Sequence, residues 1–263
     1  MGKLHLILAV VVLFSINSSG NAKSLGNFKC YHQITDKEIL IETTNGSKVL
    51  VSAYNDYAIG VSSVGVNEVL KLTSPKYIES RIDLKGSIYV EELDDLMQIT
   101  TTINDGLIMK IEKNPLRFSY VNKSSSEVMF EQLTAMKFGH KSNNINFSVE
   151  IDEELKLVTS NNHQTNTLSI KLGDVVNFEK VNEFINPDNE ICIVSSKGYA
   201  VVFESKLSHE INYSKNEKIK ISVIGNDINN FNYLLIYGPQ QPELIDKYAF
   251  HMTEVENQIS LKQ

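Results

Sequence analysis

The chain has 263 residues, 42% of them hydrophobic and 22% charged, enough apolar content to bury a full-sized core and no compositional mark of global disorder. Its formal net charge is −7, with 25 basic and 32 acidic residues. No basic stripe tracks a phosphate backbone, so nucleic acid is excluded as an expected partner.

Residues 1–22 read as a cleavable signal peptide. Lys3 supplies the positive start, residues 4–14 the apolar run, and Gly20-Asn21-Ala22 the small residues that a signal peptidase reads. A membrane anchor is the alternative, but the run is shorter than the roughly 20 apolar residues of a spanning helix. Export to the periplasm or the exterior is therefore expected, with no membrane association after cleavage. Removing this segment takes away Lys3 and no acid, leaving 24 basic against 32 acidic residues and a net charge of −8. The runs Glu91-Glu92, Asp94-Asp95 and Asp152-Glu153-Glu154 read as solvated surface rather than as a calcium site.

From there the periodicity is that of strands. Short β-prone runs cover 28–32, 38–43, 47–53 and 57–62, with Asn45-Gly46 placed as a two-residue hairpin turn. The pattern loosens over 64–96, where 77–84 and 87–91 are strand candidates. Runs at 98–103 and 107–112 flank Asn104-Asp105-Gly106, and runs at 116–121 and 127–131 flank a polar turn, which predicts two more hairpins. In 145–151, Ile145, Phe147, Val149 and Ile151 alternate with polar residues as in a half-buried strand. Runs at 155–159, 167–172, 191–195, 200–204, 219–223 and 233–237 continue the series.

So many strands at such spacing predict an all-β fold, a large antiparallel β-sandwich. One short C-terminal helix is expected over 242–252: Pro242 suits a first turn, Glu243 complements the helix dipole, and Leu244, Ile245, Tyr248 and Met252 share a face. The expected organisation is a signal peptide at 1–22, N-terminal strands of the sandwich at 23–98, the main sandwich at 99–250 and a tail at 251–263.

The chain offers few residues in patterns that carry chemistry. Cys192 lies in the apolar run Ile191-Cys192-Ile193-Val194 and reads as a buried core thiol, while a disulfide with Cys30 stays open, since only the fold can bring the two together. The mature chain's histidines, His32, His140, His163, His209 and His251, form no short-spaced ligand pair. Ser195 and Ser196 lack a Gly-x-Ser-x-Gly elbow, and no glycine-rich phosphate loop occurs. No catalytic residue, metal or cofactor is expected, and no substrate-binding residue is assigned.

Near the C-terminus the chain reads Ser195-Ser196-Lys197-Gly198-Tyr199-Ala200-Val201-Val202-Phe203, then Tyr233-Leu234-Leu235-Ile236-Tyr237-Gly238-Pro239, then Pro242-Glu243-Leu244-Ile245-Asp246-Lys247-Tyr248. Earlier come Lys113-Asn114-Pro115-Leu116-Arg117-Phe118-Ser119 and the alternating run 147–154 with its acidic end. In this order and spacing the series, about 99–248, resembles the N-terminal, galactose-mutarotase-like β-sandwich of family 31 glycoside hydrolases, the α-glucosidase and α-xylosidase family. The resemblance implies that a (β/α)₈ barrel carrying both catalytic aspartates would follow, yet only fifteen residues follow Tyr248. It also has departures. Where the family has an aromatic-Gly-x-Gly turn ending in Glu, this chain has Leu155-Lys156-Leu157-Val158-Thr159-Ser160, and the polar loop before Cys192, from Phe184 through Asn186-Pro187-Asp188-Asn189-Glu190, is short.

The expected function is a non-catalytic accessory sandwich of a family 31 α-glycosidase, truncated or split before the barrel, and no enzyme on its own. Retaining hydrolysis needs two carboxyl groups about 5 Å apart, and a barrel takes roughly 250 residues. The alternative is a stand-alone exported module that binds a carbohydrate or a protein. Its aromatic platform would come from Tyr54, Tyr57, Tyr120, Tyr199 and Tyr213, at least half of which are expected to fill the core or its rim, and the lack of tryptophan weakens it. The admitted partners are thus a carbohydrate, a separately encoded barrel or a second copy of the chain.

Overall fold

The computed structural model describes residues 23–55, 58–66, 87–101, 107–132, 135–138, 143–150, 154–161, 164–171, 191–204, 208–214, 218–225 and 230–238. They form nineteen strands and no helix: β1 Lys23–Ser24, β2 Phe28–Thr35, β3 Glu38–Thr43, β4 Lys48–Asn55, β5 Ala58–Val64, β6 Ile88–Glu92, β7 Leu96–Thr101, β8 Leu107–Lys113, β9 Leu116–Asn122, β10 Val128–Gln132, β11 Lys137–Phe138, β12 Asn143–Glu150, β13 Glu154–Asn161, β14 Gln164–Lys171, β15 Ile191–Ser195, β16 Tyr199–Glu204, β17 Ser208–Ser214, β18 Lys218–Gly225 and β19 Asn230–Tyr237. The strand candidate at 77–84 and the helix expected at 242–252 lie outside the described residues.

Two antiparallel sheets carry the fold. One has nine strands in the order β14-β13-β15-β16-β19-β5-β4-β3-β2, the other eight in the order β17-β18-β12-β10-β9-β8-β7-β6. The chain lays down β2 to β5 in the first sheet and β6 to β10 in the second as successive hairpins, the cheapest connection for antiparallel neighbours. It returns to the first sheet for β13 to β16, and β19 slots between β16 and β5. That last pairing joins the N-terminal strands to the rest, so residues on either side of position 98 share both sheets, and β7 itself runs across that position.

Alternation explains which residues meet between the sheets. In β8 and β9 every second side chain is buried, placing Leu107, Met109, Ile111, Leu116, Phe118 and Tyr120 on the inner face. In β3 and β4 the same period turns Ile39, Ile41, Val49 and Val51 toward them. These residues form one contiguous core with Tyr199, Val201, Phe231, Tyr233 and Leu235 from the nine-stranded sheet.

At its centre that sheet is buried on its other face as well. β5 is buried at all seven positions, and Val158, Cys192, Val194, Ala200, Val202, Leu234 and Ile236 form a second apolar row. The continuous apolar runs in the sequence follow from this, because a strand covered on both sides has no solvent-facing position to mark.

Hairpin 38–55 differs from its expected form. The sequence predicts a two-residue turn at Asn45-Gly46, but Thr43 N–H donates to Ser47 C=O (3.0 Å), leaving three residues in the loop, with Gly46 at φ 90°. Only a glycine accepts that left-handed position cheaply, and Asn45 serves as the brace: its Oδ1 accepts from Ser47 N–H (3.0 Å) and its Nδ2 donates to Ser24 C=O (2.7 Å). β17 was not expected, since only Ile211 and Tyr213 mark its apolar positions.

Candidate functional site

Four regions hold residues that the sequence singles out or that the fold brings together. The first is the Ser195 to Tyr199 motif. It forms the tight turn between β15 and β16: Gly198, at φ 85°, donates its N–H to Ser195 C=O (3.2 Å), and Lys197 N–H donates to Ser195 Oγ (3.1 Å). Gly238 N–H donates to Gly198 C=O (2.9 Å), so the end of β19 closes onto the same turn. Lys197, almost buried, reaches Glu127 in the turn before β10 (2.6 Å) and ties the two sheets at this end. Ser195, Lys197 and Gly198 thus each have a structural task.

The second region is aromatic. Tyr120 and Tyr199, two of the five platform candidates, are fully buried, while Tyr57 and the side chains of Tyr54 and Tyr213 lie outside the described residues. Phe130 stands among Tyr120, Tyr199 and Tyr233, with ring centroids 5.7, 6.1 and 6.3 Å away at tilted or edge-on angles. The hydroxyls of Tyr120 and Tyr233, from opposite sheets, lie 3.2 Å apart. Burial pushes both phenols well above their ordinary pKa. These tyrosines are core.

A buried cation marks the other end of the eight-stranded sheet. Lys113 Nζ donates to Glu92 Oε1 (2.9 Å) and Leu93 C=O (2.5 Å) and lies 5.1 Å from the centre of the Phe28 ring. The Lys-x-Pro turn therefore clamps the β6–β7 turn and the incoming N-terminal segment. Glu91, Glu92, Asp94 and Asp95 are exposed, as expected, whereas Asp152 and Glu153 lie outside the described residues.

The fourth region is the β2 edge of the nine-stranded sheet, and here sequence reading missed a constellation. Cys30 and His32 stand two residues apart on the outer face of β2, and Glu42 is the cross-strand partner of Cys30. Cys30 Sγ is 3.6 Å from His32 Nε2 and 3.9 Å from Glu42 Oε2, and one donor atom of each of the three lies within 4.8 Å of the others. A search for paired histidines passes over a set that mixes residue types, and only the strand register brings Glu42 to the other two. Beside it opens a cleft of about 360 Å³ between Lys29, Glu42 and Lys48 on the strands and Thr44 to Gly46 at the turn.

The cysteines do not pair. Cys192 is buried in β15 and Cys30 half-buried in β2, both free thiols. Six strand spacings separate them, roughly 29 Å at about 4.8 Å each, against a Cα separation under about 7 Å for a disulfide. Burial raises the Cys192 thiol far above its ordinary pKa, consistent with an inert core residue.

Neither a protein-family model nor a curated relative matches the sequence. Solved structures do. A GH31 dextranase from Flavobacterium johnsoniae, in complex with isomaltotriose, aligns over 86% of this chain and 28% of its own, at a TM-score of 0.61 and 14% identity. The sandwich has the fold of one part of GH31 enzymes. The cycloalternan-forming enzyme of Listeria monocytogenes, in complex with a pentasaccharide substrate, aligns over 87% of this chain and 22% of its own (TM-score 0.58, 14% identity). A GH31 α-xylosidase from a soil metagenome, complexed with xylose, aligns over 84% and 34% (TM-score 0.54, 11% identity). The chain spans between a fifth and about a third of the length of these GH31-like structures, and at such identities the likeness is one of fold.

One departure noted in the sequence has a structural form. Residues 155–160, which the sequence comparison sets against a glycine-bearing turn, lie within β13, paired throughout with β14 on one side and over 155–159 with β15 on the other. The stretch 184–190 lies outside the described residues.

Proposed function

We propose that this chain supplies the non-catalytic accessory sandwich of a GH31-type α-glycosidase, packing against a (β/α)₈ barrel and helping to shape its entrance. The observation that carries the reading is the match of nearly the whole chain to only a minor part of several GH31 enzymes, and the ordered motifs Lys113 to Ser119, Ser195 to Phe203 and Tyr233 to Tyr237 support it. The barrel contributes the pair of carboxylates at the spacing that retaining hydrolysis requires, and the sandwich contributes none. Export by residues 1–22 belongs to the same proposal.

The test is hydrolysis of an aryl α-glucoside and an aryl α-xyloside by the purified chain. No turnover above the blank is expected. Turnover that scales with protein and survives repurification would overturn the proposal. Light scattering adds a second readout: a face adapted to lean on a barrel is apolar and left uncovered in the chain alone, which predicts self-association. A stand-alone carbohydrate-binding module is the weaker reading, because Tyr120 and Tyr199 are spent on the core.

A further inference from the structure

We propose that Cys30, His32 and Glu42 form a binding site for a borderline-soft divalent cation, with Zn²⁺ the best fit. The donor set is one thiol, one imidazole and one carboxylate, all accepted by zinc and, because of the sulfur, poorly suited to Ca²⁺ or Mg²⁺. Geometry agrees with chemistry. Zinc bonds of about 2.0 to 2.3 Å in a tetrahedron put neighbouring ligand atoms roughly 3.3 to 3.8 Å apart. Cys30 Sγ already stands 3.6 Å from His32 Nε2 and 3.9 Å from Glu42 Oε2.

The fold holds these groups in place through backbone pairing. Cys30 and Glu42 face each other across the β2–β3 ladder, while Tyr31, between the two β2 donors, pairs with Ile41 and packs against the core. A register irregularity between Phe28 and Cys30 falls at the start of the site, and such bulges re-aim side chains at sheet edges. The site is reachable from solvent, since His32 is exposed and Cys30 and Glu42 are half-buried. Three protein ligands leave a fourth position for water. On binding, Cys30 enters as the thiolate and its proton passes to solvent.

One group competes with the cation. Lys29 Nζ lies 3.5 Å from Glu42 Oε2, and its mostly exposed side chain must swing aside. Removing it should therefore strengthen binding, which a merely structural Cys-His-Glu cluster does not predict.

The experiment is titration of the reduced full chain with Co²⁺ and then Zn²⁺, followed by absorption and calorimetry. One equivalent of Co²⁺ should give a thiolate-to-cobalt charge-transfer band and the visible bands of tetrahedral cobalt, both erased by Zn²⁺ and untouched by Ca²⁺. Cys30→Ser should abolish the charge-transfer band, and His32→Gln and Glu42→Gln should each weaken binding at least about tenfold, since even outer partners of a metal site cost that much. Lys29→Met should tighten it by up to about fivefold, the weight of a surface ion pair. Glu38→Gln, on the same face of β3, should change nothing. The proposal is overturned by a folded wild-type chain that gives no band, by a band that persists in Cys30→Ser, by competition from Ca²⁺, or by equal losses in Glu38→Gln and Glu42→Gln. Should Cys30→Ser not fold, the other variants carry the test by themselves.

Discussion

The aromatic interior and the β2–β3 edge put chemically suggestive side chains to opposite ends. Inside, Tyr120, Tyr199, Tyr233 and Phe130 carry polar or polarisable groups, yet every ring is enclosed and the Tyr120 and Tyr233 hydroxyls face each other across the two sheets. At the edge, Cys30, His32 and Glu42 lie within reach of one another and of solvent. A chemically suggestive residue therefore means little until its face of the strand is known. The interior tyrosines hold two sheets together, and the edge donors retain lone pairs for a ligand.

The comparison predicts unequal costs. Phe130→Ala should be the most damaging, at about 3 to 5 kcal/mol, because it opens a cavity among three other rings; urea unfolding checks this, and a loss under 1 kcal/mol would break the picture of a packed aromatic centre. Alkaline pH should act on the interior next. Burial raises the folded pKa of Tyr120, Tyr233 and Cys192, so their contribution is complete below the unfolded values, near 8.5 for a thiol and 10 for a phenol, and is lost as pH rises above them. Each such group should cost about 1.4 kcal/mol per pH unit in that window, which denaturant midpoints measured from pH 7 to 11 can follow.

Gly26→Ala should cost about 1 to 2 kcal/mol. The residue sits at φ 92°, and an added Cβ would lie 2.8 Å from Asn45 Cγ, the side chain that braces the hairpin; a neutral result by thermal unfolding would show that the N-terminal segment is not fixed as described. Tyr120→Phe, which removes one hydroxyl of the inter-sheet pair, should cost about 1 kcal/mol in the same assay. Smallest of all, His32→Gln at the edge should alter stability by no more than about 0.5 kcal/mol while changing cation binding.

Much of the frame could be read from the chain because alternation and turn residues carry it. β8 and β9, with their clean period of two, fall within a residue or two of the expected runs, and β15 matches to the residue. β17 escaped because its two apolar markers are too few, and the 43–47 loop was misjudged because Asn-Gly signals a positive φ without fixing the loop length. The sites were harder. Tyr120 and Tyr233 lie 113 residues apart in sequence, and nothing local announces that they meet. Cys30 and His32 do stand at the spacing of one strand face, but Glu42 joins them only through the β2–β3 register.

Native-state hydrogen exchange, read strand by strand, tests the contrast between a packed interior and an open edge most directly. The slowest amides should belong to β9, β16 and β19, whose inner faces carry the aromatic cluster, with β2 exchanging through local opening well below the global unfolding free energy. Protection in β2 equal to that in β19, or rapid exchange throughout β9 and β16, would contradict it.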